Sequence, residues 1–224
     1  MAKQDDGFDL ANSIFFDITR KILSLELEPG ALLSEKDLCD QYFASRTPVK
    51  TALNRLSDQG FINMKSYRQT TVRKINADEV LQLMYARVAI ESRIIEDFLK
   101  KDTPLLFEDV AHVIRRQEIV ISQPSVDPLE FHELDLAFHS TWYKAENKTR
   151  LLTLFSKNTD YVRLKILDYK RVQEYDVILR EHKAIQECIS SKDSSQLKKI
   201  MHLHIYDHIA GLIDSMKKEK DYFL

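Results

Sequence analysis

Glycine is scarce in this chain of 224 residues, which has four glycines and five prolines. Glycine-rich loops that bind phosphate groups are therefore excluded as a source of its function. The cysteines, Cys39 and Cys188, are too few for a disulfide framework, so we expect reduced thiols and a cytoplasmic protein. No apolar run approaches the roughly 20 residues that cross a bilayer, and we therefore expect no membrane segment.

A strong excess of one charge is also missing, because the net charge is −2. The distribution of charge is more informative than its sum. Residues 11–75 carry ten Lys/Arg and seven Asp/Glu, whereas residues 76–224 carry 22 and 25. This pattern is consistent with a small unit that faces nucleic acid, joined to a larger and nearly neutral unit.

The first third of the chain has the pattern of a winged helix-turn-helix. Apolar residues recur at helical spacing from Leu10 to Leu27, and Ser34 can cap a second helix. A third helix follows after almost no loop and ends at Gly60. Two β-prone runs, 61–65 and 70–75, then predict a hairpin wing.

The remainder of the chain shows only helical periodicity, which predicts a mainly α protein. We expect six antiparallel helices in a bundle, near 78–100, 105–122, 129–146, 149–170, 174–191 and 194–218. The chain therefore divides into three parts: a flexible tail (1–9), a unit of three helices and a wing (10–75) and a helical unit (76–224).

The segment SRTPVK, residues 45–50, places cations in the first turn of a helix, where free N–H groups and the helix dipole already attract anions. Arg46 and Lys50 are four residues apart and share one face. A polyanion lying across this helix explains them, and an ordinary solvated face is the alternative. The candidate DNA contacts are Lys36, Ser45, Arg46, Thr47, Lys50 and Arg68, of which Arg46 is suited to reading guanine.

The seven histidines all lie beyond residue 110, and some of them have metal-ligand spacing. Asp135 and His139 lie one helical turn apart, and His182 and His204 lie on two later helices. Together these four residues would suit zinc or another divalent transition metal. Chance spacing of ordinary helical residues is the alternative, and His112 and His132 are interpreted as structural or surface residues.

The stretch LEPGALLSEKDLCDQYFASRTPVKTALNRLSDQGFI resembles the winged helix-turn-helix of the GntR family of bacterial transcriptional regulators over about 35 residues. This resemblance implies a DNA-binding regulator. Two positions depart from the family pattern. Lys50 stands where arginine is usual, which weakens bidentate base contacts there, and Gln69 replaces a common glycine in the wing.

The second part resembles the all-helical FCD effector-binding domain of the FadR-type branch of that family. Asp135 with His139, the segment Glu181–Ile185 and His204 match its metal-ligand pattern. The resemblance implies a divalent metal, with zinc expected and nickel or manganese as alternatives, and a small organic acid as effector. It also suggests Arg87 and Asn147 as effector contacts, although Arg87 could equally form a salt bridge with Glu91.

The sequence thus predicts a metabolite-responsive regulator, expected to be a repressor, that binds a pseudo-palindromic double-stranded DNA operator as a homodimer. Two alternatives stay open. A metal-dependent hydrolase or lyase could use the helical part, although such an enzyme would not explain residues 31–73 and no base-bearing metal motif is present. A metal-free sensor of acyl-CoA type would not need the histidines.

Overall fold

The computed structural model describes residues 3–64, 69–101 and 104–224, with side chains outside the description at 3–8, 104–106, 172 and 206–210. The chain forms two compact units. The first runs to Asn76 and includes Glu219–Leu224, and the second is Ala77–Lys218. We expected the last six residues in the helical part. They join the first unit because Ile75 exchanges backbone hydrogen bonds with Tyr222 and Leu224.

The first unit contains three helices and a small sheet. Its elements are α1 (Lys3–Leu23), β1 (Leu32–Leu33), α2 (Glu35–Gln41), α3 (Arg46–Asp58), β2 (Ile62–Asn63) and β3 (Thr70–Val72). The sheet is antiparallel in the order β1-β3-β2, with Ile62 opposite Val72 and Leu33 opposite Thr70. The core of this unit is formed by Ile14, Phe15, Ile18, Ile22, Leu33, Leu38, Val49, Ala52, Leu53, Leu56, Phe61, Ile62 and Val72.

Several expectations for this unit need revision. Strand β1 was not predicted, because two residues are too few to show an alternating pattern. Helix α1 begins at Lys3, so most of the expected tail (1–9) is helical, and it ends at Leu23 rather than at Leu27. Acidic residues are favoured in the first turn of a helix, so the acidic composition of this segment was a poor guide to a tail. The predicted wing contact Arg68 lies outside the described residues.

The second unit is helical throughout its described residues. Its helices are α4 (Ala77–Phe98), α5 (Pro104–Ile121), α6 (Pro128–Ala145), α7 (Thr149–Ser156), α8 (Thr159–Val172), α9 (Tyr175–Ser190) and α10 (Ser194–Lys218). The single helix expected over 149–170 is therefore two helices. Asn158 is the reason, since its side chain accepts a hydrogen bond from the Tyr161 backbone N–H (2.8 Å) and caps a new helix.

Helix α8 lies in the interior of this unit, with every residue from Asp160 to Tyr169 buried. It packs against α4, α6, α7 and α10, while α6 also contacts α5. This arrangement turns one face of α6 toward the centre of the unit. Within the described part of the chain, no helix is both long enough and apolar enough to cross a membrane.

Candidate metal centre and DNA-recognition helix

Helix α3 presents two different faces, as the sequence predicts. Its apolar residues Val49, Leu53 and Leu56 are buried in the first unit, whereas Arg46 and Lys50 are exposed. Ser45 stands at the N-cap with an extended backbone, yet its side chain makes no capping hydrogen bond. The exposed hydroxyl at the start of α3 therefore has no role in holding the helix end.

The cations near the start of α3 are exposed and form no ion pairs within the part of the chain that the structure describes. Lys36 in α2 is exposed, and neither it nor Arg46 nor Lys50 forms an ion pair with another described residue. Thr47 is exposed beside them, and its backbone carbonyl accepts a hydrogen bond from the hydroxyl of Thr51 (3.0 Å). Five of the six predicted DNA contacts are thus on the surface and available to an external polyanion.

In the second unit, Asp135, His139, His182 and His204 come together in the interior. Each offers one ligand atom, and these four atoms all lie within 4.8 Å of one another. Helix α6 supplies the first two residues one turn apart, α9 supplies His182 and α10 supplies His204. The four side chains are between 0% and 5% exposed, so water is largely excluded from the cluster.

The distances within this cluster match those expected around one metal ion. The Asp135 carboxylate oxygen lies 3.7 Å from His139 Nε2 and 3.4 Å from His182 Nε2, and the Nε2 atoms of His139 and His204 are 3.2 Å apart. Ligand atoms about 2.1 Å from an ion at tetrahedral angles lie roughly 3.4 Å from one another. The cluster could therefore hold a metal ion.

The second nitrogen of each imidazole is held by an oxygen acceptor. His139 Nδ1 contacts the Glu91 carboxylate, His182 Nδ1 lies 2.9 Å from Gln117 Oε1, and His204 Nδ1 lies 2.7 Å from Glu181 Oε2. A proton on each Nδ1 satisfies these acceptors and leaves the Nε2 lone pairs directed at the cluster. This is the arrangement in which outer hydrogen bonds orient metal-ligating histidines.

The Nε2 atoms of the three histidines converge inside the cluster. His182 Nε2 is buried without a hydrogen bond to the described residues, and the Nε2 atoms of His139 and His204 face each other. Burial lowers the pKa of all three histidines, to about 4 for His182, so the rings are neutral at pH 7. Neutral imidazole is the form that binds metals, and a cation at the centre would relieve the repulsion between the lone pairs.

The side chain of Glu91 connects the cluster to its surroundings. One carboxylate oxygen accepts hydrogen bonds from His139 and from Trp142 Nε1 (3.0 Å), and the other accepts from Arg87 Nε (2.9 Å). Burial alone would raise the pKa of Glu91, but His139 and Arg87 lower it to about 2. The carboxylate is therefore ionised, and Arg87 forms the salt bridge that the sequence left open as the alternative to effector binding.

Sequence reasoning named the four residues of the cluster but missed the groups that orient them. The roles of Glu91, Gln117 and Glu181 were not predicted, although the spacing of Arg87 and Glu91 was a usable signal. Asn147, suggested as an effector contact, is instead an exposed residue with φ of 55° just after α6. The structure does not bring it into the buried cluster.

Other polar groups beside the cluster are buried without hydrogen-bond partners among the described residues. They are both ring nitrogens of His132, the hydroxyls of Tyr143 and Tyr169, and Gln117 Nε2. Native interiors leave few such groups unsatisfied, so this concentration indicates a place where a ligand or water binds. A more open pocket of about 440 Å³, lined by Gln123, Lys170 and Tyr175 among others, lies elsewhere and contains none of the four cluster residues.

Comparison with protein families assigns both parts of the chain. Residues 82–207 match the FCD domain, and residues 10–72 match the bacterial regulatory proteins of the gntR family. The chain belongs to the GntR family of bacterial regulatory proteins. It is a transcriptional regulator and not an enzyme, which removes the hydrolase or lyase alternative. GntR regulators bind DNA and effector molecules.

Curated relatives match over most of their length. The HTH-type transcriptional repressor RspR of Escherichia coli K12 is 24% identical over 94% of this chain and 92% of that protein. The gluconate operon transcriptional repressor of Bacillus subtilis 168 is 21% identical over 87% of this chain and 81% of that repressor. The regulator therefore shares its whole two-part organisation with these proteins.

Solved structures show the same fold. A GntR transcriptional regulator from Rhodococcus sp. RHA1 superposes with a TM-score of 0.68 at 18% identity, covering 91% of this chain and 97% of that one. The McbR/YncC protein of E. coli gives a TM-score of 0.66 at 18% identity, covering 92% and 97%. At 18% identity, the structural similarity shows a shared fold and nothing more specific.

Replacing Glu91 by alanine should lower the free energy of unfolding by about 3–5 kcal/mol, because the buried guanidinium of Arg87 would lose its counter-charge. The matched control on the same helix is Glu96→Ala. Glu96 pairs with Lys198 at 2.9 Å near the surface, so its loss should cost no more than about 1 kcal/mol. Urea unfolding followed by circular dichroism measures both, and equal losses would contradict the role assigned to Glu91.

Proposed function

We propose that this GntR regulator is a metabolite-responsive repressor whose helical unit binds a divalent metal ion and a small organic acid. The observation that carries the proposal is the convergence of three neutral imidazoles and one carboxylate, each imidazole oriented by a buried acceptor. The repressor assignment is supported by the names of the relatives in E. coli and B. subtilis.

For DNA, we propose that the start of α3 enters the major groove. The exposed, unpaired cations Arg46 and Lys50 support this orientation, because the buried face of α3 leaves only this side for a ligand. Arg46 can hold guanine O6 and N7 together, while Lys36 is placed to contact phosphate. The hydroxyl groups of Ser45 and Thr47 can form hydrogen bonds with the DNA backbone or with a base edge.

Arg46→Ala should weaken binding to the operator by about 1–3 kcal/mol and relax selectivity, because a bidentate base contact is lost. Lys36→Ala is the control for a phosphate contact. It should weaken binding to all sequences similarly and reduce the salt dependence. Fluorescence anisotropy with an operator selected from random DNA, against a scrambled duplex, measures both effects. Unchanged selectivity in Arg46→Ala would show that α3 does not read the bases.

We also propose a homodimer, since a single recognition helix reads only a few base pairs whereas two symmetric helices read a pseudo-palindrome. Light scattering should give a mass twice the 26.2 kDa of one chain. Footprinting should show protection of two half-sites one helical turn or a multiple of it apart. A monomer that binds one operator tightly would contradict the proposal.

For the metal, zinc is the proposed ion, with nickel or manganese as alternatives. Zinc accepts imidazole and carboxylate ligands at four positions. An ion that takes six ligands would keep positions for water or for the carboxylate of an effector. The metal-free acyl-CoA type of sensor is disfavoured, because it gives no role to three buried histidines whose lone pairs converge.

Removing the metal should lower the melting temperature, since binding to the folded state alone adds about 2.7 kcal/mol at a hundredfold excess over the dissociation constant. His182→Ala should reproduce the effect of a chelator. The control His112→Ala should not, because His112 is exposed on α5 and outside the cluster. Arg46-dependent DNA binding should persist, since α3 contains no ligand.

Metal analysis of protein purified without chelator or affinity tag gives the stoichiometry, and differential scanning fluorimetry gives the stability. One ion per chain is expected in the wild-type protein and in His112→Ala. A metal content near zero, with no stabilisation by added zinc, nickel or manganese, would remove the metal from the proposed function.

A further inference from the structure

One face of α8 carries a row of buried polar side chains. Tyr161, Lys165 and Tyr169 are spaced four residues apart and therefore lie on one side of the helix. The contacts of the two tyrosines define the direction of this face. Arg87 of α4 donates to the Tyr161 hydroxyl, and the ring of Tyr169 packs edge-on against Phe131 of α6 at 5.4 Å. Lys165 thus points between α4 and α6.

The ammonium group of Lys165 has no carboxylate in direct contact among the described residues. The residue is 1% exposed, and it forms neither an ion pair nor a hydrogen bond with the described residues. The Nζ atom lies over the ring of Tyr169, 4.7 Å from its centroid. A cation–π contact offsets part of the loss of hydration but does not replace a counter-charge. A buried ammonium group without a direct ion pair can bind an anion from outside the chain.

The Tyr169 hydroxyl and the His132 ring near Lys165 can each donate one hydrogen bond. The hydroxyl of Tyr169 and both nitrogens of His132 are buried without partners among the described residues, and the two rings lie 6.2 Å apart. Asp135, a proposed metal ligand, and the carboxylates of Asp168 and Glu181 are close enough to raise the pKa of Lys165, although burial outweighs them and the net shift is downward. The lysine therefore lies beside the proposed metal site without belonging to it.

We propose that Lys165 binds a carboxylate group of the effector, with the Tyr169 hydroxyl and the His132 ring as neighbouring donors. This inference rests on the proposal that the helical unit binds a small organic acid. A carboxylate is favoured over a phosphate monoester because Lys165 contributes one positive charge. Burial lowers the pKa of His132 to about 4, so that ring adds no charge at pH 7.

The experiment compares the wild-type regulator with Lys165→Met, which removes the charge and keeps the length, and with Lys165→Arg, which keeps the charge. Lys170→Met is the matched control, because Lys170 is exposed on the same helix. Thermal unfolding is recorded with no acid, with acetate, succinate or gluconate, and with inorganic phosphate. The acid that gives the largest shift is titrated into all four proteins, and their metal content is measured.

Without acid, Lys165→Met should melt roughly 2–4 °C above the wild type, because an unbalanced buried charge is removed. It should bind the titrated acid at least tenfold more weakly, while its metal content stays unchanged. Lys165→Arg should retain part of the affinity, and Lys170→Met should behave as the wild type does.

Equal acid affinity in the wild type and Lys165→Met would overturn the inference and leave the organic-acid proposal standing. If no acid stabilises the wild-type protein, both fail together. Stabilisation by phosphate but by none of the acids would overturn the assignment of a carboxylate. Lower stability of Lys165→Met without acid, with unchanged acid affinity, would make Lys165 a purely structural residue.

Discussion

The interior of the helical unit depends on one ionised carboxylate, that of Glu91. It accepts hydrogen bonds from Arg87 on its own helix and from His139 and Trp142 on α6. Arg87 in turn reaches Tyr161 on α8, so a single buried network joins three helices. Losing one member would leave uncompensated buried charge, which makes the network a strong constraint on how these helices pack. The same constraint fixes the orientation of the His139 ring.

The two units differ in whether their functionally important charged side chains are exposed or buried. In the first, the cations at the start of α3 are exposed and unpaired, so they contribute little to folding and are free to serve a polyanion. In the second, Arg87, Glu91 and Lys165 are all less than one-tenth exposed. Their charges act in a medium where water cannot screen them, so a ligand of the right charge can change the stability of the unit substantially.

Features governed by neighbours along the chain could be predicted from the sequence. Ser34 caps α2, the faces of α3 follow from helical spacing, and the pairing of Asp135 with His139 follows from one helical turn. Features that depend on packing between helices could not. Periodicity shows which face of a helix is buried but not how that helix is rotated against another. The contacts of Gln117 with His182 and of Glu181 with His204 could therefore not be predicted.

Helix α8 places charged side chains in the interior of the helical unit. A fully buried helix would be most stable with apolar residues, yet Asp160, Arg163, Lys165 and Asp168 are all buried there. The packing of α10 accommodates this polarity, since a Cβ atom at Gly211 would approach the Asp168 carboxylate to 2.9 Å. Polar interiors lower stability unless every group is satisfied, so the anion proposed to bind Lys165 would add stability that the free protein lacks. A regulator controlled by a ligand requires this kind of coupling, in which ligand binding changes the stability of the helical unit.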